Sequence, residues 1–308
     1  MMQLLMAGLL LLSQPVTYPD CLIITRQGQT IATVNRTNFT TPSPFFPIID
    51  DKKLKQLIHS LDQKIYQAPV NATISDQGSI VPERIGHRLN KDLFKDQFYR
   101  YFYGNGSTKI EAPELNIHPD IDSELLAHIR VRQIGHYVTH FNSGNKNRSH
   151  NISLAAEAIN NQVIFPNETF SFNRSVGKRT KAKGYLRAKI IVKGEFAEDI
   201  GGGICQVSST LYNAVDRAGL RIVERFSHSR HVPYVPPGRD ATVSWYGPDF
   251  RFQNQYNQPI LIRAKEYGGS LAVTLYSSDV INIQSRKIPN ASTGLPAEID
   301  KIVQIDRP

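Results

Sequence analysis

Cysteine is nearly absent from this chain: 308 residues contain two, Cys21 and Cys205. A disulfide framework is therefore excluded, and a pair between these two would consume the thiol that the motifs below single out. The cysteine and histidine spacings match no zinc-ligand pattern, so neither a metal nor any other cofactor is expected. Long hydrophobic runs are missing too. Leu4–Leu12 is apolar over signal-peptide length, which is too short to span a bilayer as a helix. No basic residue precedes it and no clear small-x-small cleavage site follows. Residues 1–20 are read as an atypical signal peptide, with an uncleaved start as the alternative and transient membrane contact as a further use.

Acidic residues are in deficit, 27 against 36 basic ones, for a net charge of +9. No lysine-arginine block or RNA-binding aromatic signature accompanies that charge. An anionic cell wall or membrane surface accounts for it as well as nucleic acid does, and charge alone does not separate them; the family resemblance below favours the wall, with nucleic acid not expected. Hydrophobic residues make up 40% of the chain, which argues against disorder, and the length suffices for two domains.

Two β-prone runs, Leu22–Thr25 and Gln29–Val34, predict a hairpin across Arg26-Gln27-Gly28, and Thr40–Pro44 reads as a linker. Leu54, Leu57, Ile58, Leu61 and Ile65 recur at helical spacing, predicting an amphipathic helix over 52–66. A two-strand element follows over 72–81. A second helix, 91–103, carries the stripe Phe94, Phe98, Tyr101 and Phe102, which reads as core rather than as a sugar-binding platform. Beyond residue 132 the pattern is mostly β: a strand over 133–141, a helix over 152–160 capped by Asn151, short strands, and β segments at 222–223, 241–245, 260–264 and 271–276. The tail holds a β-like run, Lys301–Ile305. The fold class expected is α+β, a small α+β N-terminal module followed by a mostly-β domain with a few helices.

The most informative segment is Gly201-Gly202-Gly203-Ile204-Cys205-Gln206-Val207-Ser208-Ser209-Thr210-Leu211-Tyr212-Asn213-Ala214. Three glycines deliver a cysteine to the start of a helix, marked by Val207, Leu211, Ala214, Val215 and Ala218 and stopped at Gly219. A helix N-terminus lowers a thiol's pKa and offers backbone N–H groups to an oxyanion. The competing reading is a small buried thiol under a helix. Downstream, His228 and His231 flank a polar turn, and Asp240 follows a Pro-Pro-Gly corner. A base oriented by an acid is what a thiol nucleophile requires, but order along the chain leaves the choice of histidine open.

Together these residues resemble the VanW family of bacterial extracytoplasmic proteins. The resemblance runs from Gly135–Phe141 through Asn147–Ile152, Phe170–Asn173, Val176-Gly177, Gly184-Tyr185 and Gly194, then through the Gly201–Ala214 core, His228-Ser229 to Ala241, Asp249-Phe250 and Phe252–Asn254. It spans about residues 132–278. A looser similarity over 48–128, carried by Pro69–Ala72, Gly86 and Ala112–Glu114, is to one peptidoglycan-binding module. Residues 21–47 are left as a hairpin and linker, and 279–308 as a tail. One departure is Asn167, in a turn where relatives commonly carry glycine. Asn tolerates the left-handed conformation better than most residues.

The resemblance implies an extracytoplasmic, secreted or wall-associated protein whose partners are peptidoglycan stem peptides and the anionic wall. It further implies L,D-transpeptidase-type acyl transfer, in which Cys205 is the nucleophile, His228 of the His-Ser motif the base and Asp240 its orienter. Arg148 is a candidate for binding a stem-peptide carboxylate, and Thr139 for lining the site. The motif residues Gly202, Gly203, Gln206, Ser208, Ser209 and Tyr234 complete the candidate substrate contacts. The alternative is a non-catalytic peptidoglycan-binding or accessory protein in wall metabolism or the glycopeptide response, with Cys205 structural.

Overall fold

Alternating burial along the strands and helical stripes of apolar residues build an α+β chain with a two-domain layout. The computed structural model describes residues 20–44, 46–192 and 195–295. The Leu4–Leu12 run and the Lys301–Ile305 segment lie outside them. The chain divides into two units, Met1–Asn71 with Glu83–Asp120, and Ala72–Pro82 with Ile121–Pro308.

In the first unit β1 (Cys21–Arg26) and β2 (Gln29–Asn35) form a hairpin. Its turn residues, Gln27 and Gly28, have φ of +49° and +77°, the left-handed pair that matches the twist of the flanking strands. β3 (Thr40–Thr41) pairs with β4 (Ile48–Ile49), so the stretch read as a linker folds back on itself. α1 (Asp51–Ile65) is capped by Asp50, whose side chain accepts from the Lys53 N–H, and it buries Leu54, Leu61 and Ile65. The chain then enters the second unit for β5 (Thr73–Ile74) and β6 (Ile80–Val81). It returns as β7 (Gly86–Leu89), α2 (Lys91–Tyr103), β8 (Thr108–Glu111) and β9 (Glu114–Ile117).

β8 runs parallel to β1, and β7 pairs with β9. The hairpin that the sequence set ahead of the module is thus part of its sheet. Leu22 and Ile24 are fully buried in the same cluster as Phe94, Phe98, Tyr101 and Phe102 of α2. Phe98 stacks on Phe102 and meets Phe39 edge-on, with centroids 6.3 and 5.1 Å apart. The aromatic stripe is core.

In the second unit α3 (Ser123–Ile129) leads into β10 (Arg132–His140), α4 (Lys146–Ile159), β11 (Val163–Ile164), β12 (Thr169–Ser171) and α5 (Phe172–Val176). A hairpin of β13 (Arg187–Val192) and β14 (Glu195–Ile200) precedes α6 (Ile204–Arg217). β15 (Arg221–Glu224), β16 (Arg251–Gln253), β17 (Ile260–Tyr267) and β18 (Ser270–Ser277) follow. The main sheet is antiparallel in the order β10-β18-β17-β11, and β12, β16 and β15 form a smaller one.

Strand periodicity gives the main sheet two buried faces. Ile260, Ile262 and Ala264 of β17 and Leu271, Val273 and Leu275 of β18 join the large core with Val207, Leu211 and Ala214 of α6. Leu261 points to the other side, where Ile74, Leu126 and Ile129 cover it. The 72–82 excursion is fastened there by Arg263, which donates to the Ile74 and Ser75 carbonyls at 2.6 and 3.0 Å. No sequence pattern marks this excursion, because the strands it meets lie far along the chain. Asn167 takes φ of +66°, so the Asn standing for glycine adopts the left-handed turn conformation.

α6 lies against β10 at glycine contact: a Cβ on Gly135 would overlap the Ala214 carbonyl oxygen and press on the Ala218 methyl. A Gly135→Ala substitution is therefore expected to lower stability by about 2 kcal/mol through overpacking. The loss is read as a reduced midpoint in urea denaturation of the full chain.

Candidate active site

Cys205 stands second in α6, and the chain reaches it through a glycine turn. Gly203 caps the helix at φ +104° with no side-chain cap bond, a backbone angle that disfavours side chains. A Cβ on Gly202 would enter the backbone of Ala188 and Lys189, so Gly202 lets the β13 main chain approach. Asn151 secures this turn. Its amide donates to the Leu186 and Gly202 carbonyls at 2.9 and 3.0 Å, and its Oδ1 accepts from the Leu186 N–H at 2.8 Å. The sequence predicts Asn151 as a helix cap, but the helix starts a turn earlier with Asn145 as its cap. Polar residues at 145–151 hide that start, and Asn151 is fully buried within α4.

One face of α6 carries Cys205, Ser208, Ser209, Asn213 and Asp216, spaced by three or four residues and so aligned along the helix. This face clamps the segment 239–243. Ser208 Oγ donates to the Ala241 carbonyl at 2.6 Å, and Ser209 Oγ accepts from the Ala241 N–H at 2.9 Å. Asn213 donates to the Arg239 carbonyl and accepts from Arg239 Nε, both at 2.8 Å. Asp216 pairs with Arg239 and Arg286 at 2.8 and 2.7 Å. The strand expected over 241–245 is not formed: side-chain bonds from α6 hold this segment in place of a β ladder.

The clamp delivers Asp240 to His228. One carboxylate oxygen, Oδ2, accepts from both the His228 backbone N–H and ring Nδ1, each at 2.6 Å. Nδ1 being engaged, Nε2 is the ring nitrogen left for the Cys205 thiol, whose ionisation His228 favours. The sulfur also lies 3.9 Å from Thr242 Oγ1 and 3.6 Å from the Val243 carbonyl. His231, three residues on, is exposed at the surface.

The electrostatics of the three groups are coupled. Burial opposes ionisation of Cys205, but the hydrogen bond and charge of His228 outweigh it and hold the thiol below its ordinary value. Burial would lower the His228 ring, yet Asp240 and Cys205 raise it from 6.5 to about 9. Burial pushes the Asp240 carboxyl up, and its bonds from His228 bring it below its usual range. Tyr234 is pushed up by burial and by its negative neighbour Cys205, so it remains a phenol.

The other sequence candidates sit around this triad. Thr139 and Gln206 are fully enclosed. Gln206 donates to Thr139 Oγ1 at 2.9 Å and to the His140 carbonyl at 3.1 Å, and accepts from Arg148 Nη2 at 2.6 Å. Thr139 also bonds Thr210 at 2.8 Å. Arg148 lies 5.8 Å from the Phe141 ring. Gly202 and Gly203 form the turn; Ser208 and Ser209 hold the 239–243 segment. Two of the helix-start N–H groups are already used, Ile204 N–H to the Gly201 carbonyl at 3.3 Å and Gln206 N–H to that of Gly203 at 3.0 Å. Sequence reasoning missed Asn213, Asp216 and Thr242. Asn213 and Asp216 could have been found as the continuation of the Cys205 face at helical spacing. Arg179 was also missed. It is close enough for its charge to interact with Cys205, and its sequence neighbourhood gives no signal.

The fold and this site define a two-domain α+β protein with a cysteine of lowered pKa at a helix start. Comparison with known proteins places it more closely. The family described as "VanW like protein" matches residues 147–276, and that described as "Putative peptidoglycan binding domain" matches 23–111. The chain is 65% identical over 300 residues to the uncharacterized protein YoaR of Bacillus subtilis (strain 168), covering 97% of this chain and 99% of that one. It is 33% identical over 116 residues to the vancomycin B-type resistance protein VanW of Enterococcus faecalis (strain ATCC 700802 / V583), covering 35% of this chain and 42% of that one. No solved structure matches it. The chain belongs to the VanW family, and it is a cell-wall-related protein. Among the described residues no helix is long and apolar enough to cross a membrane, and no group of metal-ligating side chains is present.

The raised His228 pKa sets a pH dependence. The folded protein holds this proton up to about pH 9, whereas the unfolded chain releases it near 6.5. The contribution is therefore fully present below pH 6.5 and is lost as pH rises through about 9. It amounts to about 3 kcal/mol at most. Wild type is expected to exceed His228→Ala in urea stability by more below pH 6.5 than above pH 9, measured by paired denaturation curves. Equal differences at both ends would contradict the assignment.

Proposed function

We propose that the protein is a peptidoglycan acyltransferase of L,D-transpeptidase type, working through a thioester on Cys205. The observation that carries this reading is the His228 ring, bonded through Nδ1 to Asp240 and close enough to Cys205 to hold its thiol below the ordinary value. A thiolate-imidazolium pair is the activated state of a cysteine nucleophile. The basic net charge, +9, and the wall-related domains supply the setting.

In the first step the Cys205 sulfur attacks the carbonyl carbon of the penultimate residue in a donor stem tetrapeptide. The C–S bond forms and the peptide C–N bond breaks. His228 passes its proton to the leaving amine, and D-alanine departs. In the second step the side-chain amine of another stem peptide attacks the thioester and His228 accepts the amine's proton. The C–N bond forms and the thiolate is released. Asp240 keeps the ring in one orientation and stabilises its charged form throughout. Thr139, Gln206 and Arg148 brace the helix start from behind, while Tyr234 with Ser208 and Ser209 fixes the opposite wall. Gly202 and Gly203 let the turn that leads to Cys205 pack closely against β13 and α4.

The alternative, a non-catalytic wall-binding protein, is favoured by the match to a peptidoglycan-binding domain. Intact mass spectrometry after incubation with a disaccharide-tetrapeptide separates the two readings. The acyl-transfer reading expects an adduct equal to the donor minus D-alanine, absent in Cys205→Ala. Its absence from folded, reduced wild-type protein would leave the binding reading.

A further inference from the structure

Arg179 takes no part in the Asp240–His228–Cys205 chain, yet it is fixed beside it. Nη2 donates to Asn173 Oδ1 at 2.7 Å, and the guanidinium lies 5.9 Å from the Phe172 ring. Its Cβ and Cγ pack 3.2 Å from where a Cβ on Gly201 would stand, at the turn that leads into α6. Asn173 is itself pinned. Its N–H donates to Asp249 Oδ1 at 2.8 Å, and its amide to the Ser244 and Pro248 carbonyls at 2.9 and 3.1 Å. Ser244 follows Val243, whose carbonyl lies 3.6 Å from the Cys205 sulfur. Two short paths thus tie the guanidinium to the thiol, one through the glycine turn and one through Asn173.

The Arg179 guanidinium keeps one donor nitrogen without a hydrogen bond, although Cys205 and Asp249 are near enough for their charges to act on it. Nη1 is buried and has no hydrogen-bond partner, and among the described residues Arg179 forms no salt bridge. An enclosed donor left unsatisfied is costly, the more so when it is charged. A guanidinium cannot relieve that cost by losing its proton. A desolvated cation with an open donor is where an anionic oxygen binds best. In the acyl-transfer reading, on which this step rests, the scissile carbonyl carbon is three bonds from the free carboxylate of the departing residue. An anion site next to the nucleophile is where that carboxylate falls.

We propose that Arg179 is the carboxylate subsite of the donor, restricting acylation of Cys205 to a carbonyl followed by a single residue with a free C-terminus. The chemistry it reads is a carboxylate beside the reacting centre.

The test compares alkylation of Cys205 by iodoacetate, which carries a carboxylate, and by iodoacetamide, its neutral counterpart. Both react with the same thiolate, so the ratio of their rates cancels any change in Cys205 ionisation. Rates are followed by peptide mapping at Cys205 in the full-length wild type, Arg179→Gln and Arg179→Lys, with the exposed Lys178→Gln as control. The expected result is a ratio lower by about five- to tenfold in Arg179→Gln, largely kept in Arg179→Lys and unchanged in Lys178→Gln. A ratio unchanged in Arg179→Gln overturns the proposal. Both rates falling together would mean that Arg179 serves the thiolate alone. A second measurement needs no variant: acetyl-D-alanine slows iodoacetamide alkylation of wild type more than acetyl-D-alaninamide does, and equal protection contradicts the subsite. Where wild type forms an adduct with the stem tetrapeptide, its C-terminal amide is expected to react at least tenfold more slowly. Equal reaction refutes carboxylate recognition. Failure of both peptides to form an adduct counts against acyl transfer alone, because the alkylation ratio still decides the subsite.

Discussion

One oxygen of Asp240 receives two hydrogen bonds from the same residue, the backbone N–H and ring Nδ1 of His228. Much of the second unit is arranged so that this carboxylate stands where it does. Asp240 lies in a segment with no strand or helix of its own. Such a segment holds position only if its backbone groups find partners elsewhere. The polar face of α6 provides them, with Ser208, Ser209 and Asn213 bonding the 239–241 backbone. The helix that carries the thiol therefore also places the acid that orients the base. Cys205 and Asp240 are thus both referenced to one rigid element, the arrangement that holds two side chains in fixed relation.

The opposite face of α6 does the folding. Val207, Leu211, Ala214, Val215 and Ala218 are fully buried against the main sheet, and Gly135 lets β10 come to backbone contact. Between the two faces runs the enclosed line Arg148–Gln206–Thr139–Thr210. Each link in that line is a hydrogen bond, so it specifies the helix position rather than merely tolerating burial. Asn151 performs the same service for the glycine turn. The contrast is Arg179, whose enclosed Nη1 has no hydrogen-bond partner.

Much of this was legible in the sequence, for reasons that differ from residue to residue. The apolar stripe of α6, the aromatic stripe of α2 and the alternation in β17 and β18 are local patterns, and burial follows from them directly. The glycines before Cys205 announce a tight turn, and a cysteine after them announces a helix start. The span of Asp240 and the choice between His228 and His231 were not local. Both histidines sit in the same kind of turn, and only the clamp on 239–243 brings one of them to the acid. The misread strand over 241–245 has the same origin: its apolar residues suit a strand, but Ser208 and Ser209 of α6 take up the Ala241 backbone groups and the Thr242 and Ser244 N–H groups go to the Phe226 and Pro248 carbonyls. The start of α4 was hidden because Asn145 through Asn151 is polar throughout. The 72–82 excursion and the approach of Arg179 depend on contacts between distant segments, for which spacing along the chain gives no sign.

Cys205 and His228 are expected to form an ion pair before any substrate arrives. Ultraviolet absorbance of the thiolate, taken as wild type minus Cys205→Ser across a pH titration, reads this pair directly. The account predicts thiolate absorbance well below the ordinary thiol range, moving back toward that range in His228→Ala. A thiolate that appears only in the ordinary range, with the same midpoint in both proteins, would contradict it.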